Sequence, residues 1–216
     1  MGRHQEKPFC REPGEAAFLR NWLRNPLKVG AVSPSSRALG RHMAEAVPDG
    51  PSNGVVVELG PGTGAVTACL LQRRIEPDDL VCLEYAPEFC TLLRARFPGI
   101  HVLQGDAYDP PEALWRLVGE RPIRAVVSSL PLMTRPEGER SHAVSRYLER
   151  LPPGAPFIQF SYAFAPPVRP ERVGALVAIS PWIKRNLPPA RVLTYRRFEP
   201  RTIAAPGLPA FTSLPK

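Results

Sequence analysis

Long apolar runs are missing from this 216-residue sequence. Pro, Gly or charge interrupts each candidate before the roughly 20 residues that span a bilayer, which excludes a transmembrane helix. The opening, Met1-Gly2-Arg3-His4-Gln5-Glu6-Lys7, has no apolar centre of a signal peptide. The expected location is therefore the cytoplasm. Cysteine is scarce too: Cys10, Cys69, Cys82 and Cys90 form no CxxC pair and no metal-ligand spacing. Cys69 and Cys82 lie inside apolar runs and read as small, reduced core residues. No metal is expected, and no internal repeat or low-complexity block is present.

Proline, by contrast, is abundant, with 28 residues scattered between apolar segments, where they read as stiff loops. The length predicts one domain, large enough to bury roughly 70% of the unfolded chain's surface without a disulfide or structural metal. The net charge of +8 is unevenly placed. Residues 1–50 carry 8 basic and 5 acidic groups, and residues 166–216 carry 9 and 2. The middle, 51–165, carries 11 and 13. An anionic surface, lipid or nucleic acid, would be met by the ends of the chain.

From residue 52 onward, short apolar runs alternate with helical patterns. Strands are predicted over 54–59, 80–83, 100–103, 123–130, 156–164, 176–179 and 191–198. Helices are predicted over 65–74, 87–97, 111–119 and 137–151. This alternation predicts an α/β fold with a mostly parallel seven-stranded sheet covered by helices on both faces. Upstream, Ser35 or Ser36 is placed to cap a helix over 37–46.

The most specific segment is Val55-Val56-Val57-Glu58-Leu59-Gly60-Pro61-Gly62-Thr63-Gly64. A buried strand runs into a glycine turn that opens a helix, so a ligand can lie against bare backbone at Gly60 and Gly62. Glu84 ends the next strand, where an acid can accept from ribose hydroxyls. Gly105-Asp106-Ala107 ends the third, where a carboxylate can accept from an adenine amino group. All three clusters lie at carboxyl ends of strands, the ligand-binding edge of open α/β sheets. The glycine register is poor for a dinucleotide fold. The pattern E-L-G-P-G-T-G, acid, G-D-A instead resembles the class I S-adenosylmethionine-dependent methyltransferases over residues 52–132. That resemblance implies a Rossmann-like fold with Glu58, Gly60 and Gly62 at the methionine end of the cofactor. It places Glu84 on the ribose, Tyr85 beside the adenine, and Asp106 and Ala107 on the adenine edge.

The fourth strand ends Val127-Ser128-Ser129-Leu130-Pro131-Leu132. Nucleic-acid amine methyltransferases resemble this place, with Asn or Asp and an aromatic where this chain has Ser129 and Leu132. Losing both argues against a flipped adenine, while the Leu130-Pro131 bend still directs backbone carbonyls at an amine.

The N-terminal segment supplies a different clue. Phe18, Leu19, Trp22, Leu23 and Leu27 share one half of a helical wheel, and Arg20, Arg24 and Lys28 stripe the other. A helix with an all-basic polar face and Trp at its apolar edge suits a lipid interface. The run F-L-R-N-W-L-R-N-P-L-K-V-G-A-V-S-P-S-S, with the distal Asn186-Leu187-Pro188-Pro189-Ala190, resembles bacterial phospholipid N-methyltransferases across nearly the whole chain. Those enzymes are peripheral on the cytoplasmic face of the inner membrane and methylate phosphatidylethanolamine, using S-adenosylmethionine and releasing S-adenosylhomocysteine.

The resemblance implies residues 1–50 as membrane-docking helices and active-site cover, and residues 51–216 as the cofactor-binding domain. Ser33 would lie against the cofactor. Ser128 and the backbone at Leu130 are assigned to the reacting amine, with Tyr162 as an additional polar group and Ser128 also beside the cofactor. Lys184, Arg185, Arg196 and Arg197 are the candidates for the lipid phosphate, and Tyr162, Phe164 or Trp182 for a quaternary product. The expected partners are phosphatidylethanolamine, its methylated derivatives and an anionic membrane surface, with no nucleic acid and no obligate protein partner. Two alternatives remain open at this point: an RNA adenine N6-methyltransferase, and a lipid-binding module without catalysis on the same fold.

Overall fold

The computed structural model of the chain describes residues 36–50 and 54–198. Its seven strands form one sheet in the order β3-β2-β1-β4-β5-β7-β6. Helix α1 (Arg37–Glu45) precedes β1 (Val55–Leu59), and α2 (Ala65–Gln72) leads to β2 (Leu80–Glu84). Then follow α3 (Pro87–Arg96), β3 (His101–Gln104), α4 (Glu112–Val118), β4 (Ile123–Ser128), α5 (Glu137–Arg150) and β5 (Phe157–Ser161). The chain closes with β6 (Ala175–Ile179) and β7 (Arg191–Arg197). Strands β1 to β5 pair in parallel. Strand β7 lies antiparallel between β5 and β6.

Each strand is too short to hold its place except by what covers it. The run Val55-Val56-Val57 is buried on both faces, as parallel strands under crossover helices must be. Its side chains alternate between two cores. Val55, Val57 and Leu59 join Leu114 of α4 and Val144 and Leu148 of α5. Val56 faces the other way, onto Leu39 and Met43 of α1 and Val66 and Leu70 of α2. A file of tilted aromatic rings crosses the first core, Trp115 to Tyr147 to Phe157 to Tyr195, at centroid separations of 5.9, 6.0 and 6.4 Å. The two phenols in it are satisfied: Tyr147 Oη donates to the Ala107 carbonyl and Tyr195 Oη to that of Val168.

Helix starts follow their local chemistry. Ser36 caps α1, its Oγ accepting from Leu39 N–H at 3.1 Å, which settles which of the two serines is the cap. Pro87 occupies the first turn of α3, where its missing N–H costs nothing. The expected division at residue 50 is not where the packing divides. Leu39, Met43 and Ala44 of α1 are wholly buried in the same core as Val56 and Val127. Residues 1–35, with Ser33 and the docking residues Phe18, Leu19, Arg20, Trp22, Leu23, Arg24 and Lys28, lie outside the described residues. Among the described residues, no helix is long and apolar enough to cross a membrane.

Candidate active site

The carboxyl ends of β1, β2, β3, β4 and β5 share one edge of the sheet, and Gly60, Gly62, Glu84, Tyr85, Asp106 and Ala107 collect there. Backbone bonds carry the ladder beyond the strands: Gly60 N–H donates to Leu83, Gly105 N–H to Glu84 and Ser129 N–H to Leu59. The glycine turn is therefore fixed against both neighbouring loops. Arg96 of α3 also donates to the Thr63 carbonyl at 2.7 Å.

Two glycines in the turn have separate jobs. Gly64 holds φ +80°, and a Cβ there would come within 2.4 Å of the Phe97 ring, so this position serves packing of α2 on α3. Gly62 holds φ +56°, and a Cβ there would meet nothing within 4 Å. The turn presents open space above Gly62, the form a ligand cradle requires. A Cβ at Gly60 would reach Leu130 Cδ2 at 3.2 Å, which brings the bend after β4 directly against the turn.

Glu84 joins the turns after β1 and β2. Its Oε2 accepts from Gly62 N–H and its Oε1 from Ala86 N–H, both at 2.9 Å. Asp106 is exposed, with Oδ1 accepting from Tyr108 N–H at 2.8 Å. Ala107 is buried and Tyr85 is 73% exposed. These positions surround the space above the turn.

Glu58 occupies a different depth. It is wholly buried beneath the turn, with Oε2 accepting from Thr67 Oγ1 at 2.8 Å and from the Cys82 thiol at 3.6 Å. Burial raises its pKa to about 7, against the opposing pull of the Thr67 and Cys82 bonds. Its Oε1 has no hydrogen-bond partner. Any influence of Glu58 on a ligand therefore passes through the turn rather than by direct contact. Thr67 escaped the sequence reading, and a lone hydroxyl inside the apolar run A-V-T-A-C-L-L was the available signal.

The bend after β4 requires a correction. Ser128 is wholly buried and its Oγ accepts from Leu130 N–H at 3.4 Å, so its hydroxyl shapes the bend and has no surface for a ligand. The neighbouring Ser129 Oγ is also buried and has no hydrogen-bond partner among the described residues, so it too offers no surface to a ligand. The Leu130 carbonyl accepts from Gln159 Nε2 at 3.1 Å, and the same amide nitrogen donates to Phe160 O at 2.9 Å. Gln159 is thus the side chain that aims the Leu130 carbonyl. A glutamine inside the buried strand F-I-Q-F-S was its signal. Tyr162 follows β5, half-buried, with its ring edge-on to Phe160 at 5.4 Å; burial raises its pKa, opposed by Asn186.

The basic candidates divide between opposite edges. Because β7 is antiparallel to β5, Arg191 pairs with Ser161 at the carboxyl edge, whereas Tyr195 pairs with Phe157. Arg196 and Arg197 consequently lie at the amino edge, donating to the Gly154 and Leu151 carbonyls. They are too far along the sheet to serve a phosphate beside the turn. Lys184 and Arg185 stay with the site, in the loop between β6 and β7. Arg191, missed in the sequence, joins them: its guanidinium lies 4.5 Å from the Trp182 ring centroid and donates to the Ala163 and Phe164 carbonyls. A cleft of about 290 Å³ lined by Trp115, Arg121 and Arg150 opens at the amino edge, away from these residues. Among the described residues, no group of three His, Cys, Asp or Glu side chains could hold a metal ion.

No protein-family model matches the chain. Over 127 residues, 56% of this chain, the sequence is 34% identical to an ornithine lipid N-methyltransferase of Singulisphaera acidiphila. The match spans 63% of that relative, just under two thirds of its length. Among solved structures, a TehB-like SAM-dependent methyltransferase of Corynebacterium glutamicum superposes with a TM-score of 0.56 at 15% identity, over 86% of this chain and 98% of that one. The mitomycin 7-O-methyltransferase superposes with a TM-score of 0.58 at 16% identity, over 87% and 59%. Strand order, the antiparallel β7 and these superpositions agree: the chain has the Rossmann-like fold of the class I S-adenosylmethionine-dependent methyltransferases.

Proposed function

We propose that this protein is an S-adenosylmethionine-dependent N-methyltransferase acting on the amine of a membrane lipid, with phosphatidylethanolamine as acceptor. The observation that carries the reading is the meeting of an open glycine turn, Glu84 and the Ser129–Leu130 bend at one edge of the sheet. The 127-residue likeness to a lipid N-methyltransferase supports the acceptor class. The same likeness favours ornithine lipid as a second acceptor to be tested.

The residues fit the cofactor. Gly60 and Gly62 offer bare backbone, Glu84 retains acceptor capacity for ribose hydroxyls, and Asp106 has its second oxygen available for an adenine amine. When bound, S-adenosylmethionine supplies an electrophilic methyl group. The chain's own residues must then present a lone pair to it. An alkyl ammonium, with a pKa near 10.4, has none at neutral pH. The second lone pair of the Leu130 carbonyl accepts a hydrogen bond from the amine and fixes its direction. Gln159 holds that carbonyl still, so alignment is built into the fold rather than assembled for each turnover. Lys184, Arg185 and Arg191 are the cations on this edge for the lipid phosphate. Residues 1–35, with their basic amphipathic pattern, are proposed to hold the protein on the cytoplasmic face of the membrane.

The test is incubation with methyl-labelled cofactor and vesicles containing phosphatidylethanolamine or ornithine lipid, with RNA in parallel, followed by separation of the lipids. Label in the phosphatidylethanolamine fraction is expected, rising with pH as neutral amine becomes available. Label in ornithine lipid alone transfers the reading to that acceptor, and label in RNA alone rejects both.

A further inference from the structure

The outer surface of the carboxyl edge carries more exposed apolar area than its chemistry explains. Seven large hydrophobic side chains are exposed among the described residues, and five of them, Tyr85, Met133, Phe164, Ile179 and Leu187, belong to segments at this one edge. Tyr85 and Met133 border the glycine turn and the bend. The remaining three lie on the side of β5, β6 and β7, where no cofactor contact has been assigned.

The most exposed of them is held in place. Ile183 N–H donates to Ala190 O at 2.7 Å, closing residues 184–189 into a loop tip. Asn186, 3% exposed, anchors the tip from within: its Nδ2 donates to Pro188 O at 2.7 Å and its Oδ1 accepts from Ser36 N–H at 2.9 Å. Leu187 then stands 88% exposed at the summit, and Phe164 is 85% exposed beside Trp182, their rings edge-on at 5.3 Å. Lys184 and Arg185, both exposed, flank the tip and make no ion pair with any described residue. Arg191 stacks under Trp182. A fixed loop that holds a leucine in water beside two unpaired cations and an aromatic pair has the composition of an interfacial anchor, apolar at its centre and basic at its rim.

We propose that the loop of residues 184–189, with Phe164 and Trp182, is a docking surface for an anionic lipid bilayer, separate from residues 1–35. Leu187 and Phe164 enter the acyl boundary while Lys184 and Arg185 meet anionic head groups. Docked this way, the carboxyl edge faces the membrane, and a lipid amine reaches the Ser129–Leu130 bend without its acyl chains leaving the bilayer. The orientation rests on the lipid-amine reading of the site. The docking itself does not.

The experiment uses the full chain, so any contribution of residues 1–35 is constant, with flotation on phosphatidylcholine vesicles with and without phosphatidylglycerol. Leu187→Ser is expected to weaken binding roughly tenfold, the scale for removing one buried leucine side chain. Because Leu187 is 88% exposed among the described residues, unfolding midpoints should barely move. Lys184→Glu with Arg185→Glu should remove the preference for phosphatidylglycerol and flatten the salt dependence, and Leu187→Trp should tighten binding with blue-shifted emission. Methyl transfer to dihexanoyl-phosphatidylethanolamine in free solution reads the acceptor chemistry apart from docking. Leu187→Ser should retain that transfer while losing turnover on vesicles. Loss of flotation in Leu187→Ser supports the surface even if no lipid is methylated. Unchanged flotation in both the Leu187→Ser and the Lys184→Glu/Arg185→Glu proteins overturns it. So does wild-type protein that ignores vesicles but retains RNA through these same residues.

Discussion

Glu58 is the residue whose surroundings differ most from those of an ordinary carboxylate. Its pKa of about 7 in the folded chain stands above the 4.5 of an unperturbed glutamate, chiefly because burial disfavours the charge. Between those two values the unfolded chain has released a proton that the folded chain still holds. Stability therefore falls as pH rises through this window and levels off above about pH 7, a total loss of ~3 kcal/mol if no other group compensates. Urea unfolding of the Glu58→Gln protein should lack this slope and show greater stability at pH 8, since the amide oxygen still accepts from Thr67. An identical slope in both proteins would assign the effect elsewhere. Asp106 answers to a different measurement. Asp106→Ala should lower affinity for S-adenosylmethionine roughly 10- to 150-fold by calorimetry, the equivalent of losing a hydrogen bond of about 1.5–3 kcal/mol. Gly62→Val should be worse, because φ +56° resists a β-branched residue and the side chain would fill the open space above the turn. Unchanged binding in both would remove the cofactor assignment.

At the level of elements, local signals were readable and pairing directions were not. All seven strands and the helix 37–46 follow from apolar periodicity and capping chemistry, and β4 ends at Ser128 rather than residue 130 only because the bend begins early. Nothing in Arg191-Val192-Leu193-Thr194-Tyr195-Arg196-Arg197 announces that this strand runs against β5. Direction decides which end of the strand meets the site, so the sequence pointed to Arg196 and Arg197 where the fold delivers Arg191. Ser128 misled for a related reason: a polar residue at a strand's end looks like a ligand group until alternation turns it inward. Asn186 shows the reach of a contact that no local pattern contains, spanning 150 residues to the start of α1. Asn186→Ala leaves the partly buried Ser36 N–H without its acceptor, and denaturant unfolding should report a loss of about 1–3 kcal/mol. Ser36→Ala should cost about 1 kcal/mol through the lost cap. If Asn186→Ala unfolds like the wild type, the loop and the helix are joined by packing alone.

Across the whole molecule, charge and fold are arranged independently. The sequence suggested that both basic ends meet one anionic surface. The described chain starts at the carboxyl edge, where Ser36 is tied to Asn186, and reaches Phe198 at the amino edge, where Phe198 N–H donates to Gly174 O. Only the first of these edges carries the candidate site. If residues 1–35 dock as proposed, Arg20→Glu with Arg24→Glu should weaken flotation on anionic vesicles by at least ~2 kcal/mol, about 1 kcal/mol for each arginine lost, with the repulsion of the two new carboxylates added to it. Cofactor affinity should not change, because the sheet is untouched. Flotation equal to that of the wild type would leave the loop of residues 184–189 as the sufficient anchor.

The buried thiols have a practical consequence. Cys69, Cys82 and Cys90 are at most 3% exposed, and burial raises the pKa of each, that of Cys82 furthest. The thiolate is the form that attacks a labelling reagent, so these three should stay silent under labelling conditions that modify an exposed cysteine completely. With Cys10→Ser, the chain becomes a blank background for a single spin label or fluorophore. A nitroxide attached through Leu187→Cys would then record, by its accessibility to oxygen and to a water-soluble quencher, how deep that position sits in a bilayer.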